Sequence, residues 1–246
     1  MGVRLDGVEL DALCLDLDDT ILDDSWSVGE AWDVVSELVS ERLRDVAAGA
    51  VRAQLAVVTR WYWDDDARHR RGRLDLVQAR REIVGRLLEA LGRPDPGLAD
   101  EAARLYTDLR ERTQRPLDGA LEALAGLRAA LPRLALVTNG AAAPQRAKLE
   151  RFDLARFFDH VQVEGEFGAG KPDAAVWVHV LERLGSAPGR TLMVGDNYEC
   201  DVVGPLEAGL HAAWIEPSGE RPPPRPAPRP HLRLRSLAEL LGRLER

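Results

Sequence analysis

The stretch Val8-Glu9-Leu10-Asp11-Ala12-Leu13-Cys14-Leu15-Asp16-Leu17-Asp18-Asp19-Thr20 governs the reading of the whole chain. The run from Val8 to Leu17 reads as a buried strand, and it breaks off into carboxylates. Strands buried on both faces belong to parallel sheets covered by helices. In such sheets ligands bind beyond the carboxyl ends of the strands, which is where Asp16 and Asp18 fall. Aspartates after a strand are ordinarily turn formers or helix caps. They also have a chemical use. One carboxylate can attack phosphorus and form an acyl phosphate, and a second can protonate the leaving oxygen and then deprotonate water. Successive side chains of an extended strand face opposite ways and i, i+2 face the same way. Asp16 and Asp18, two apart, would share a face of the strand but stand about 7 Å apart along it, and a turn beginning near Asp18 would let both reach one substrate.

Beyond this strand the pattern turns helical. Ser27-Val28-Gly29-Glu30 has the form of a capping box, and Val28, Trp32, Val35, Leu38, Val39 and Leu43 then recur on one helical face. A second helix carries Val51, Leu55, Val58 and Tyr62. A third runs over 76–91 and stops at Gly92 and Pro94, and a fourth spans 98–112. No strand pattern occurs between 24 and 113, so this block reads as an inserted all-helical cap. After Pro116 helices and strands alternate: helix 119–131, strand 134–137, helix 144–151, strand 160–163, loop 165–172, helix 173–184, strand 191–194, helix 200–208 and strand 211–215. That rhythm predicts an α/β fold with a doubly wound, Rossmann-like parallel sheet. The core is discontinuous, 1–23 and 114–246. The proline- and arginine-rich segment 217–230 reads as an exposed extended loop, and 232–246 as an edge strand and a closing helix.

Three further motifs sit at the ends of predicted strands. Leu134-Ala135-Leu136-Val137-Thr138-Asn139-Gly140 has the ordinary reading of an Asn-Gly turn, and the functional one of a hydroxyl and a following amide that grip a phosphate oxygen. Gly170-Lys171-Pro172-Asp173 reads as a loop before a helix capped by Asp173. Of 33 basic residues only Lys148 and Lys171 are lysines. A position facing phosphate that needs a compact point charge selects lysine over arginine. Leu192-Met193-Val194-Gly195-Asp196 delivers an aspartate to a turn, and Asp201 follows in the first turn of a helix. Such acids complement the helix dipole, or hold magnesium, which takes oxygen ligands and is often bound by one or two carboxylates plus substrate phosphate. Asp16, Asp18, Asp196 and Asp201 gathered in one place would repel one another. A divalent cation and Lys171 would offset that repulsion and would also neutralise an incoming phosphate.

Composition narrows the classes. The 246-residue chain is 45% hydrophobic, enough for one large domain or two small ones. A net charge of −8 argues against general nucleic-acid binding. No apolar run approaches the ~18 residues of a membrane span. No signal-peptide core precedes the first strand, so a cytoplasmic location is expected. Cys14 and Cys200 are too few for a disulfide framework and lack metal-site spacing. Nothing in the sequence fixes an oligomeric state.

The four motifs, in this order, resemble the signature motifs of the haloacid-dehalogenase-like superfamily in its phosphatase branch, and the inserted helical block matches the family's helical-cap subclass. The Thr-Asn-Gly turn, the Gly-Lys-Pro loop and the Gly-Asp-x-x-x-x-Asp stretch are similar to those of N-acylneuraminate-9-phosphate phosphatases and related nucleotidases. The resemblance implies a magnesium-dependent phosphatase acting on a small-molecule phosphate monoester, of sugar-phosphate or nucleotide type, through an aspartyl phosphate. It implies Asp16 as nucleophile and metal ligand, and Asp18 as general acid and base with its main-chain carbonyl on the metal. Asp196 would be a further ligand, and Asp201 would support the metal's water shell or Lys171. Thr138 and Asn139 would bind the phosphoryl group, and Lys171 would bridge nucleophile and phosphate. Asp18 argues against the family's dehalogenases, and the absence of lysine from 24–113 argues against its phosphonate-cleaving members. A phosphomutase, assisted by His69 or a cap arginine, and a catalytically idle module that kept the fold are the alternatives.

Within the insert, Trp61-Tyr62-Trp63-Asp64-Asp65-Asp66-Ala67-Arg68-His69-Arg70-Arg71-Gly72-Arg73 is dense in aromatics and charge. Its ordinary reading is helix packing plus a solvated charged turn. Its functional reading places Trp61 or Trp63 along the substrate pocket, with Arg68, Arg70 or Arg71 on a second anionic group.

Overall fold

The computed structural model of the chain describes residues 3–5, 7–216, 218 and 226–245. The chain divides into two compact units, Met1–Asp23 with Arg115–Arg246, and Asp24–Gln114. The first unit opens with β1 (Val3–Leu5) and β2 (Val8–Leu10), an antiparallel hairpin, followed by β3 (Ala12–Leu15) and β4 (Leu22–Asp23). The single strand expected over 8–17 is therefore broken. Asp11 separates β2 from β3, its carboxylate held by the Arg190 guanidinium at 2.5 and 2.8 Å.

The second unit is helical: α1 (Val28–Leu43), α2 (Ala48–Trp63), α3 (Asp66–Leu74), α4 (Leu76–Ala90) and α5 (Pro96–Thr113). Its core is built from Trp32, Val35 and Val39 of α1, Val51, Leu55, Val58 and Tyr62 of α2, Ile83, Val84, Leu87 and Leu88 of α4, and Leu98, Ala102 and Tyr106 of α5. The Trp32 and Tyr106 rings stack with centroids 3.9 Å apart. Two expectations need correction here. Ser27 occupies the N-cap of α1 but makes no capping bond; its hydroxyl is 2.6 Å from that of Thr113, so the capping box does not form. The charged run after Trp63 is not a solvated turn but the helix α3, capped by Asp65, which accepts from Arg68 N at 2.8 Å.

The chain then returns through β5 (Arg115–Pro116), which pairs antiparallel with β4. There follow α6 (Ala120–Ala130), β6 (Arg133–Thr138), α7 (Ala142–Arg151), β7 (His160–Val163), α8 (Glu164–Phe167), α9 (Ala174–Leu184) and β8 (Thr191–Gly195). A π-helical turn, Tyr198–Val203, leads into α10 (Gly204–Glu207), then β9 (His211–Ile215), β10 (Leu232–Leu234) and α11 (Leu237–Arg243). The loop expected over 165–172 thus begins inside the one-turn helix α8. The helix expected over 200–208 is a π turn running into α10. Of the extended segment 217–230, only 218 and 226–230 fall among the described residues, and those are in neither helix nor strand.

The sheet has the order β10-β9-β8-β3-β6-β7 with every pairing parallel, the doubly wound α/β arrangement the alternation predicts. All four residues of β3 are buried, and alternate side chains serve opposite faces. Leu13 and Leu15 join Leu134, Leu136, Leu192 and Val194 against α6 and α11 through Leu124, Leu127, Leu237 and Leu240. Ala12, Cys14, Ala135 and Met193 face Val176, Trp177 and Val180 of α9. The small residues on that face leave room for Trp177, which is wholly buried. The strand β3 lies between β6 and β8, so the chain winds outward from it both ways. Its carboxyl end is the topological switch point, where such sheets bind ligands.

Candidate active site

Three neighbouring strands end at the same edge of the sheet. β3 delivers Asp16, whose amide donates to Val194 O at 3.0 Å. The chain then turns. The amides of Ile21 and Leu22 both donate to Leu17 O at 2.9 Å, and Asp19 takes a left-handed φ of 55°, a conformation aspartate tolerates better than most residues. This turn carries Asp18 off the strand, where a turn was expected. β6 delivers Thr138 and the Asn139-Gly140 turn, and the Gly140 amide donates to the buried Glu164 carboxylate at 2.9 Å. β8 delivers Gly195 and Asp196.

Lys171 is the hub. It is 1% exposed, and its Nζ lies 2.6 Å from Asp16 Oδ1 and 2.6 Å from Asp201 Oδ1. Its main chain is clamped by the Asn139 side chain, which accepts from Lys171 N and donates to Lys171 O, each at 2.8 Å. The Asn139 amide group thus grips the lysine loop. Asp201 is fully buried, and its second oxygen accepts from Asn197 N at 3.0 Å. It stands so close behind β8 that a Cβ on Gly195 would lie 2.8 Å from Asp201 Cβ and closer still to its carboxylate. Only glycine fits there.

Carboxylate oxygens of Asp16, Asp196 and Asp201 all lie within 4.8 Å of one another. Burial, then the charges of Asp16 and Asp201, push the Asp196 carboxyl up to about 8 from 3.8. Burial likewise pushes Asp16 up to about 6, against the pull of Lys171. For Lys171 burial works against its charge, but the Asp16 and Asp201 carboxylates outweigh it and hold the pKa above the ordinary lysine value. Three carboxylates, if all ionised, would exceed the one ammonium by two negative charges, the deficit a divalent cation would fill. Octahedral bonds of about 2.0–2.1 Å set two oxygens on one magnesium roughly 3–4 Å apart, compatible with this cluster. Asp201 has both oxygens engaged, so the donor set that fits the ion is Asp16 and Asp196, with Asp201 as its support.

Two neighbours were not singled out from the sequence as site residues. Gln145, 3% exposed, donates to Thr138 Oγ1 at 2.6 Å and to Asp18 Oδ2 at 3.0 Å. Lys148 reaches Asp18 Oδ1 at 2.7 Å. The rarity of lysine was a signal for Lys148; Gln145 carried none. Cys14 is buried on β3 against α9, and its thiol is pushed up to about 12 by that burial.

Trp61, Trp63, Arg68 and Arg71 meet one another's neighbours inside the helical unit. The Arg68 guanidinium sits 4.0 Å from the Trp61 ring centroid and donates to Trp61 O at 2.6 Å. Trp63 packs edge-on against Tyr62 and His69, with centroids 5.0 and 5.6 Å away. Arg71 pairs with Glu82 at 3.0 Å.

A family model described as haloacid dehalogenase-like hydrolase matches residues 10–209. The chain belongs to the haloacid dehalogenase-like hydrolases. It is 37% identical over 149 residues to N-acylneuraminate-9-phosphatase of Mus musculus, covering 60% of this chain and 59% of that protein. It is 41% identical over 149 residues to phosphoserine phosphatase of Thermus thermophilus, covering 59% of each. The chain thus spans under two thirds of the length of these relatives. Among solved structures, the HAD-hydrolase YfnB of Bacillus subtilis bound to magnesium superposes with a TM-score of 0.72 at 25% identity, over 95% of this chain and 97% of that one. No helix among the described residues of this chain is long and apolar enough to cross a membrane.

Proposed function

We propose that this haloacid dehalogenase-like hydrolase is a magnesium-dependent phosphatase that acts on a small-molecule phosphate monoester with Asp16 as covalent nucleophile. The observation that carries the reading is the buried Lys171 ammonium, 2.6 Å from both Asp16 and Asp201 beside the electrostatically strained Asp196. That arrangement holds one nucleophilic carboxylate fixed and leaves a net negative pocket for a divalent ion.

In this reading an Asp16 oxygen attacks phosphorus while the bond to the leaving oxygen breaks, and Asp18 gives that oxygen its proton. Asp18 then takes a proton from water, whose oxygen attacks the phosphorus of the aspartyl phosphate. Inorganic phosphate leaves and the Asp16 carboxylate is restored. Lys171 and the Thr138 hydroxyl, with the Asn139 main-chain amide, hold the equatorial oxygens as charge builds on them. Asp16 and Asp196, with the Asp18 carbonyl that the family likeness implies, would hold magnesium, which would supply positive charge to the nucleophile and the phosphoryl group. The helical insert over 24–113 is assigned as the cap, with Trp61, Trp63, Arg68 and Arg71 as its candidates for selecting the leaving group.

Phosphate release from a panel of esters tests the reading, with p-nitrophenyl phosphate, N-acylneuraminate 9-phosphate, phosphoserine and nucleoside monophosphates. Release that needs magnesium, stops in EDTA and is lost in Asp16→Asn is expected. Release that persists in Asp16→Asn would put the nucleophile elsewhere.

A further inference from the structure

The helix α7 contributes two side chains that the reaction just described does not use, and both end on Asp18. Lys148 Nζ lies 2.7 Å from Asp18 Oδ1, and Gln145 Nε2 lies 3.0 Å from Asp18 Oδ2. Three residues apart on a helix, they project from one face. We propose that Gln145 and Lys148 are positioning residues: they fix the Asp18 carboxylate in place and keep the Thr138 hydroxyl turned as a donor toward the phosphoryl group. The inference rests on the phosphatase reading above and assigns what sets its acid arm and its phosphate hook.

The Gln145 amide nitrogen carries two protons and faces three acceptors, Asp18 Oδ2, Thr138 Oγ1 at 2.6 Å and Asn139 O at 3.1 Å. The shortest of these bonds goes to Thr138. A hydroxyl that accepts from Gln145 has its own proton directed elsewhere. Its acceptor within the protein is Asn139 O at 3.3 Å, long against the ~2.7–2.8 Å usual for O–H···O. A phosphoryl oxygen offers that proton a shorter and charge-assisted bond. Gln145 therefore makes Thr138 a donor before substrate arrives, while the same amide ties Thr138 to Asp18.

Lys148 explains itself by what an arginine would do there. The chain uses arginine at 31 of its 33 basic positions (33 − 2). A guanidinium fork tends to bind both oxygens of a carboxylate, which would displace Gln145 and leave Asp18 no oxygen for the leaving group. An ammonium is a single point of charge; it anchors Oδ1 and leaves Oδ2 to Gln145 and the reacting atoms.

The test compares leaving groups. A p-nitrophenolate departs with little help from a proton, whereas an alkoxide needs one, and kcat/KM reads only the steps up to its departure. In Lys148→Met, kcat/KM for the best alkyl phosphate of the panel should fall about 100-fold, at the low end of what general acids contribute, and the loss with p-nitrophenyl phosphate should be at least about ten times smaller. In Gln145→Met, the inhibition constant of inorganic phosphate should rise about tenfold, the scale of one charge-assisted hydrogen bond. Circular dichroism and thermal melting establish that both variants are folded. Equal losses on both esters, no loss on either, or unchanged phosphate inhibition in Gln145→Met would overturn the assignment. A wild-type protein that cleaves no ester would sink the phosphatase reading itself. Crystal structures of wild type and Lys148→Met would then decide the positioning claim: an Asp18 carboxylate that moves without Lys148 supports it, and one that keeps its place overturns it.

Discussion

Removing divalent metal should make the core unit less stable as the solution is raised from about pH 6 to about pH 8. The folded chain holds the Asp196 proton up to about 8, whereas the ordinary value is 3.8. Between those values the folded state binds the extra proton, so raising the pH favours unfolding. The slope is about 1.4 kcal/mol per pH unit for each such proton. One proton over two units comes to roughly 3 kcal/mol, or about 6–12 °C in melting temperature for a chain of this size. Asp16, raised to about 6, adds to the slope only at lower pH. His160 and His231 are lowered from 6.5 by burial, so they act in the opposite sense, their stabilisation being lost as pH falls. Comparing wild type with Asp196→Asn isolates the carboxylate. Thermal melts in EDTA across this range should show the fall in wild type and not in Asp196→Asn, and magnesium should raise the melting temperature more at the alkaline end. A metal-free melting temperature that is flat or rising, or the same fall in Asp196→Asn, would refute the electrostatic account of the cluster.

Two substitutions probe the same cluster from other sides. Lys171→Met strips the cation from between Asp16 and Asp201, and breaking a buried ion pair by removing one partner costs about 3–5 kcal/mol; calorimetry should show that loss, partly recovered by magnesium, with phosphate release abolished. Gly195→Ala forces a methyl into the space of the Asp201 carboxylate, an overpacking worth about 1–3 kcal/mol; denaturant titration should show that destabilisation, and phosphate release should drop with the displacement of Asp201.

The parts of this structure that were legible beforehand are those whose cause is local. The sheet strands read directly because β3, β6 and β8 are continuous apolar runs, and a turn near Asp18 was legible where the acidic cluster ends the first of them. Lys171 stood out because arginine fills almost every other basic position. What was illegible depends on a partner distant in sequence. The capping box at Ser27 failed because its hydroxyl is taken by Thr113, 86 residues away. Asp11 lies between β2 and β3, held by Arg190, 179 residues on. Gln145 lies on a helix with no motif of its own, and only the fold brings it to Asp18 and Thr138. The grip of the Asn139 side chain on the Lys171 main chain was illegible too, since a strand-end amide gives no sign in sequence of a loop 32 residues on that it will clamp.

The most direct test of the central claim is to trap the covalent state. Wild-type protein would be mixed with magnesium and its best ester, quenched in acid within the first turnovers, digested and examined by mass spectrometry. The account predicts one phosphoryl group on the peptide that contains Asp16, sensitive to hydroxylamine and absent from Asp16→Asn. Turnover of the ester with no phosphoryl group on that peptide, or with one on another residue, would contradict it.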